Sequence, residues 1–127
     1  MRLLLDTHAF LWFVAGDERL GRRARRTIED DESEPLLSAA SVWEMAIKAG
    51  LGRLTLPATV EEYVAMKLAE GYTILPVEWP HAAAVERLPL HHRDPFDRLL
   101  AAQALVERLP LVTADSVFRR YGIKTIW

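Results

Sequence analysis

Short apolar runs alternating with segments of helical period predict an α/β protein. The expected architecture is three-layered, with a central, mainly parallel sheet of four to five strands and helices on both faces. Two observations carry this expectation. The candidate strands are short, apolar and bounded by Gly, Pro or a polar residue, as strands buried on both faces are. The segments between them repeat apolar residues at helical spacing rather than in strict alternation.

Leu3–Leu5 read as the first strand, and Thr7–Ala15 and Leu20–Asp31 as helices separated by Gly16-Asp17. Pro35–Ser38 form the second strand, and Ala39–Ala49 a helix stopped by Gly50 and Gly52. Thr59–Glu70 continue as a helix ended by Gly71, and Thr73–Leu75 form a third strand closed by Pro76. Trp79–Leu88 read as a short helix, His91-His92-Arg93 as a loop and Asp94–Arg108 as a long helix. Leu111–Thr113 form the fourth strand, a helical turn runs through Tyr121, and Lys124–Trp127 suit an edge strand. With no linker, repeat or low-complexity stretch, one domain is expected over residues 1–127.

Half of the 127 residues are hydrophobic and 27% are charged, the balance of a soluble globular chain. No apolar run approaches the roughly 18 residues of a membrane span. Arg2 precedes a short strand-like run rather than the long apolar core of a secretory signal. The absence of cysteine excludes disulfides, cysteine zinc sites and thiol nucleophiles, and it fits a cytoplasmic location. The net charge of −2 argues at first against a nucleic-acid partner. Its distribution matters more: Arg19, Arg22, Arg23, Arg25 and Arg26 cluster, either as a solvated helix face or as a basic patch.

Ligands of open parallel sheets lie beyond the carboxyl ends of the strands, and four acids fall there. Asp6 directly follows the first strand; it is either a helix N-cap or a site acid, and Thr7 could cap equally well without a buried charge. Glu44 admits a capping box with Ser41 and an i,i+4 pair with Lys48, but it shares a helix face with Ala40, Ile47 and Leu51. Asp94 precedes Pro95 and suits an N-cap, with Arg98 in reach as an ion-pair partner. Asp97 lies on the stripe of Leu100, Ala101 and Ala104, so its carboxylate should face the protein. Asp115, just past the fourth strand, either caps the following turn or joins the site.

Clustered carboxylates repel: two at about 4 Å cost roughly 4 kcal/mol at an effective dielectric of 20. A divalent cation relieves that repulsion, and all-oxygen ligands suit Mg²⁺ or Mn²⁺. Such an ion activates water and polarises phosphoryl oxygen, chemistry that cleaves phosphodiesters. Lys48 and Arg93 are candidate phosphate contacts beside these acids, or plain salt-bridge partners. His91 and His92 suit a surface loop, with RNA contact as the alternative, and His8 and His81 suit structural roles. Trp12, Phe13 and Trp43 suit the core, with a partner-binding groove as the alternative. No P-loop, nucleophile elbow or H-x-x-x-H spacing is present.

Four ordered motifs, LLLDTHAFLW, SAASVWEMAIK, HRDPFDRLLAAQA and LVTAD, resemble the PIN-domain ribonucleases, and most closely the VapC toxins of type II toxin–antitoxin pairs. The resemblance spans essentially the whole chain. It implies a PIN-like sandwich with an acidic Mg²⁺ or Mn²⁺ pocket that cleaves RNA, built from Asp6, Glu44, Asp97 and Asp115. It places Asp6 and Asp97 as the usual metal ligands, Asp115 at metal or water, and Glu44 as ligand or base. Thr7 and Thr113 match the small hydroxyl residues found beside these acids. His8 stands where many members carry Asn or Ser. The resemblance further implies a homodimer and a VapB-like antitoxin whose tail enters the pocket.

Three other readings compete. A receiver-like signalling domain would need an acidic pair after the first strand and an acceptor Asp after a middle strand, whereas Asp6 stands alone and Pro76 follows Leu75. Dehalogenase-type hydrolysis needs D-x-D where this chain has Asp6-Thr7-His8. A catalytically silent partner-binding domain is opposed by the intact acid set.

Overall fold

A computed structural model describes residues 1–127. Five parallel strands form one sheet: β1 (Arg2–Leu5), β2 (Glu34–Ser38), β3 (Thr73–Leu75), β4 (Leu111–Val112) and β5 (Thr125–Ile126). Their spatial order is β3-β2-β1-β4-β5. The chain therefore builds outward from β1 on one side, then returns to add β4 and β5 on the other. That reversal opens a crevice at the carboxyl ends of β1 and β4, the place where open α/β sheets bind ligands.

The two-residue period of the strands divides the core. Leu3, Leu5, Leu37, Val112 and Ile126 face one layer, while Leu4, Leu36 and Leu111 face the other. The first layer holds α1 (Thr7–Ala15), α2 (Arg22–Glu29), α3 (Ala39–Gly50) and α4 (Val60–Ala69), which contribute Phe10, Ile28, Met45, Tyr63 and Val64. The second holds α6 (Pro95–Glu107), against which α5 (Trp79–Ala84) packs; Leu100, Ala101 and Ala104 meet Phe118 and Tyr121 there. Leu3, Leu4 and Leu5 are fully buried. Each contributes about 1.5–3 kcal/mol by leaving water, and a charge at any of them would disrupt one layer.

Local chemistry sets the helix ends. Asp6 caps α1 by accepting the Ala9 amide at 2.7 Å, and Gly16 closes it with φ of 65°. Ser38 caps α3, and Asp94 accepts the Phe96 amide at 2.8 Å ahead of Pro95. Gly21 is needed for a close approach, because a Cβ there would lie 2.5 Å from the Trp127 carbonyl carbon.

Several sequence expectations shift. α2 is shorter than Leu20–Asp31, since Leu20 is buried from a loop ahead of the helix. The segment Trp79–Leu88 breaks into α5 and a 3-10 turn over Val85–Arg87. Ser41 lies inside α3 rather than at its start, so the S-x-x-E capping box does not form. The Asp94–Arg98 pair is also absent: Arg98 instead donates to the carbonyls of Val85, Leu88, Pro89 and His92, pinning the loop before α6. Trp43 is not core but 60% exposed. No helix is long and apolar enough to cross a membrane.

Candidate active site

The crevice at the ends of β1 and β4 is a cavity of about 240 Å³, and Asp6, Glu44, Asp97 and Asp115 all line it. Asp6 arrives from the end of β1, where its amide still pairs with the Val112 carbonyl at 3.1 Å. Asp115 arrives two residues past the Thr113 amide, which continues the ladder to Ile126 at 3.1 Å. α3 brings Glu44, and the first turn of α6 brings Asp97. Asp94 lines the same cavity while also serving as the N-cap of α6.

Each acid is held differently. Glu44 accepts the Thr7 hydroxyl at 2.6 Å through one oxygen and the Lys48 ammonium at 2.8 Å through the other. The Ser41 hydroxyl lies 2.9 Å from that of Thr7, so residues from α1 and α3 meet in one polar knot. The face argument that aimed Glu44 inward holds for Ala40, which is buried, but fails for Ile47 and Leu51, which are 39% and 63% exposed. Thr113 is buried and stabilises the ionised Asp6 carboxyl, and its hydroxyl accepts the Asp115 amide at 3.0 Å. Asp115 accepts the Val117 amide at 2.9 Å through one oxygen and meets His92 Nε2 at 2.8 Å through the other.

The electrostatics are those of crowded carboxylates. Burial raises the Asp6 pKa above its ordinary value and Glu44 adds to the effect, against the hydrogen bonds from Thr113 and Ala9 and the charge of His8. Burial and then the neighbouring Asp94 push Asp97 up to about 6; His92 opposes this, while Glu44 and Asp115 reinforce it. At Asp115 burial acts upward, but the hydrogen bonds from His92 and Val117 hold the carboxyl below its usual range. Lys48 and His8 supply the basic character of the lining.

An oxygen-only set of this charge fits a hard divalent cation, whose positive charge would offset the burial, and the lesser repulsion, that raise Asp6 and Asp97. The carboxylates are not drawn into a ready-made cage: no three His, Asp or Glu side chains stand in ligating geometry.

Arg93 is exposed and does not line the cavity, unlike Lys48 and Thr7. His92, expected on a surface loop, is instead buried and bonded to Asp115. No spacing in the sequence connects these two residues, which are 23 positions apart. Phe96 also went unnoticed; it lines the cavity and packs edge-on against Trp43 at 5.1 Å.

Acids from the ends of β1 and β4 and from α3 and α6 thus meet at the sheet's switch point. The PIN domain family model matches residues 3–124, and the chain belongs to that family. Within it, the chain is 32% identical over 120 residues to Ribonuclease VapC22 of Mycobacterium tuberculosis (strain ATCC 25618 / H37Rv), covering 94% of this chain and 91% of the relative. The resemblance read from the four motifs is thereby borne out. Among solved structures, VapBC2 from Rickettsia felis, bound to a DNA fragment from its promoter, aligns with a TM-score of 0.72 at 14% identity over 100% of both chains. FitAcB from Neisseria gonorrhoeae aligns with a TM-score of 0.65 at 20% identity, over 98% of this chain and 96% of that one. At those identities the structural likeness establishes the fold.

Proposed function

We propose that the protein is a divalent-metal-dependent endoribonuclease, the toxin of a type II toxin–antitoxin pair. The observation that carries this reading is the meeting of Asp6, Glu44, Asp97 and Asp115 in one cavity. The identity to a VapC ribonuclease over most of both chains supports RNA as the substrate class.

Asp6, Asp97, Asp115 and Glu44 hold Mg²⁺ or Mn²⁺ in this reading. When bound, the cation supplies positive charge that polarises a phosphoryl oxygen and acidifies water. The chain's own residues supply the rest. Thr113 favours the ionised form of Asp6, and Thr7 and Lys48 fix Glu44 by opposite oxygens. Glu44 is thereby placed to accept a proton from an attacking water. Lys48 offers the approaching phosphate a positive charge at the rim of an otherwise acidic cavity.

The antitoxin reading has its own support. The solved structures of similar fold include a toxin-antitoxin complex from Klebsiella pneumoniae. A groove of about 590 Å³ continues from the cavity through Thr7, His8 and Lys48 and is walled by Leu11, Trp12, Leu54, Leu56 and Tyr63. An amphipathic tail would lay its apolar side there and reach a cation into the acidic cavity. Self-association is assigned to the exposed stripe of Trp43 and Ile47 on α3 and Leu51 just past its end, spaced at i, i+4 and i+8. The receiver-like alternative would need an acidic pair after β1, where Asp6 is followed by Thr7 and His8, and β3, expected as its middle strand, lies at the sheet edge.

The test is cleavage of a structured RNA by the purified protein with Mg²⁺ or Mn²⁺. Cleavage should disappear with chelator and in Asp6→Asn and Asp97→Asn. Variants that cut like the wild type would contradict the site assignment.

A further inference from the structure

His92 reaches Asp115 from a loop, and its surroundings are more specific than a packing role needs. It is 8% exposed, lies near-parallel to Tyr121 at 5.5 Å and meets the Phe118 ring at 4.5 Å. Its backbone amide donates to Tyr121 Oη at 2.8 Å, and its carbonyl accepts from Arg98 at 3.4 Å, so the loop is held on both sides.

We propose that His92 is a positioning residue for Asp115, with the Tyr121 hydroxyl setting which ring nitrogen faces the carboxylate as a donor. An ionised carboxylate only accepts, so the 2.8 Å contact from Nε2 requires hydrogen on that nitrogen. Tyr121 Oη already accepts the His92 amide, which leaves its own hydrogen free for His92 Nδ1 at 3.3 Å. Both contacts are met by one arrangement, with Nδ1 accepting and Nε2 donating. This parallels the way outer-shell hydrogen bonds fix ligand orientation at metal sites.

The consequence falls on Asp115. Its side chain is 42% exposed, and the terminal torsion of an aspartate is intrinsically broad. His92 Nε2 and the Val117 amide each hold one oxygen from the protein side. The remaining lone pairs are thereby turned to the cavity, ready for a cation or a water. This inference rests on the reading of Asp115 as one of the site acids.

The experiment combines imidazole ¹⁵N spectra of the wild type with Mn²⁺ affinity and RNA-cleavage kinetics of variants. The terminal amide nitrogen of Gln falls where His Nε2 lies, whereas that of Asn falls nearer Nδ1. The wild-type spectrum should show hydrogen on Nε2. His92→Ala and His92→Asn should lose about ten- to a hundredfold in Mn²⁺ affinity and in kcat, with KM little changed, and His92→Gln should recover most of both. Tyr121→Phe should admit the Nδ1–H tautomer. A wild-type ring carrying hydrogen on Nδ1 alone, or equal behaviour of the Gln and Asn variants, would overturn the proposal. A wild type that cleaves no RNA would overturn the ribonuclease reading instead, and the spectra and Mn²⁺ affinities would still decide the role of His92.

Discussion

The Thr7 hydroxyl donates to Glu44 Oε1 at 2.6 Å, joining the first residue of α1 to the middle of α3 across 37 positions of sequence. The bond explains why Asp6, and not Thr7, caps α1. Thr7 is committed to a carboxylate, and Asp6 accepts the Ala9 amide while its other oxygen remains near the cavity. Thr7→Val keeps the shape and removes the donor. Hydrogen bonds to charged groups contribute about 1.5–3 kcal/mol, and Glu44 retains Lys48, so denaturant melts should show a loss near the lower figure. Cleavage should fall about tenfold through Glu44 misplacement, as read by kcat. Unchanged kcat would remove Thr7 from the site.

Asp97 predicts a trade of stability against function. Its carboxyl is raised from 3.8 to about 6, so the folded protein binds that proton more tightly than the unfolded chain. The stability associated with this group is present below pH 4 and is lost as pH rises through about 6. Asp97→Asn removes the penalty. In the metal-free protein at pH 7 it should be more stable than wild type by about 1 kcal/mol, after solvent screening of a half-buried side chain. The gap should close as pH falls towards 4. Thermal melts at several pH values check this, and a less stable variant at pH 7 would contradict the account of Asp97. Saturating Mg²⁺ or Mn²⁺ should reverse the order by stabilising the wild type.

Lys48 and Arg93 should part company. Lys48 lines the cavity 2.8 Å from Glu44, and Arg93 is exposed beyond its lining. The salt dependence of RNA binding should lose about one unit of slope in Lys48→Gln and stay constant in Arg93→Gln. Equal slopes in both variants would remove Lys48 from the phosphate path.

The exposed stripe on α3 predicts assembly. Trp43→Arg places a charge among Trp43, Ile47 and Leu51 without touching a buried residue. Light scattering should show the wild type as a dimer and the variant as a monomer with its helical content kept. A monomeric wild type at micromolar concentration would end the assignment.

What was legible in the sequence followed from patterns that act locally. Leu3–Leu5 and Leu111-Val112 could be read as buried strands, and Asp94-Pro95 as a helix start, because propensity and capping decide them. Asp97 was legible because helical period alone puts it on the stripe of Leu100 and Ala101. Glu44 was ambiguous: the residues sharing its face, Ile47 and Leu51, proved to be exposed. His92 was not legible at all. Its burial depends on Tyr121 and Phe118, whose 3-10 turn folds back from beyond β4, and on Arg98 drawing the loop inward. Trp43 misled because a large aromatic residue is usually buried, and here α3 turns it outward against Phe96.

Mn²⁺ gives the most direct test, because its anomalous scattering locates it without reference to any assay. Crystals soaked in Mn²⁺ should show an ion bound by Asp6 and Asp97, with Asp115 and Glu44 turned towards it. An ion bound elsewhere, or none at saturating concentration, would contradict the account.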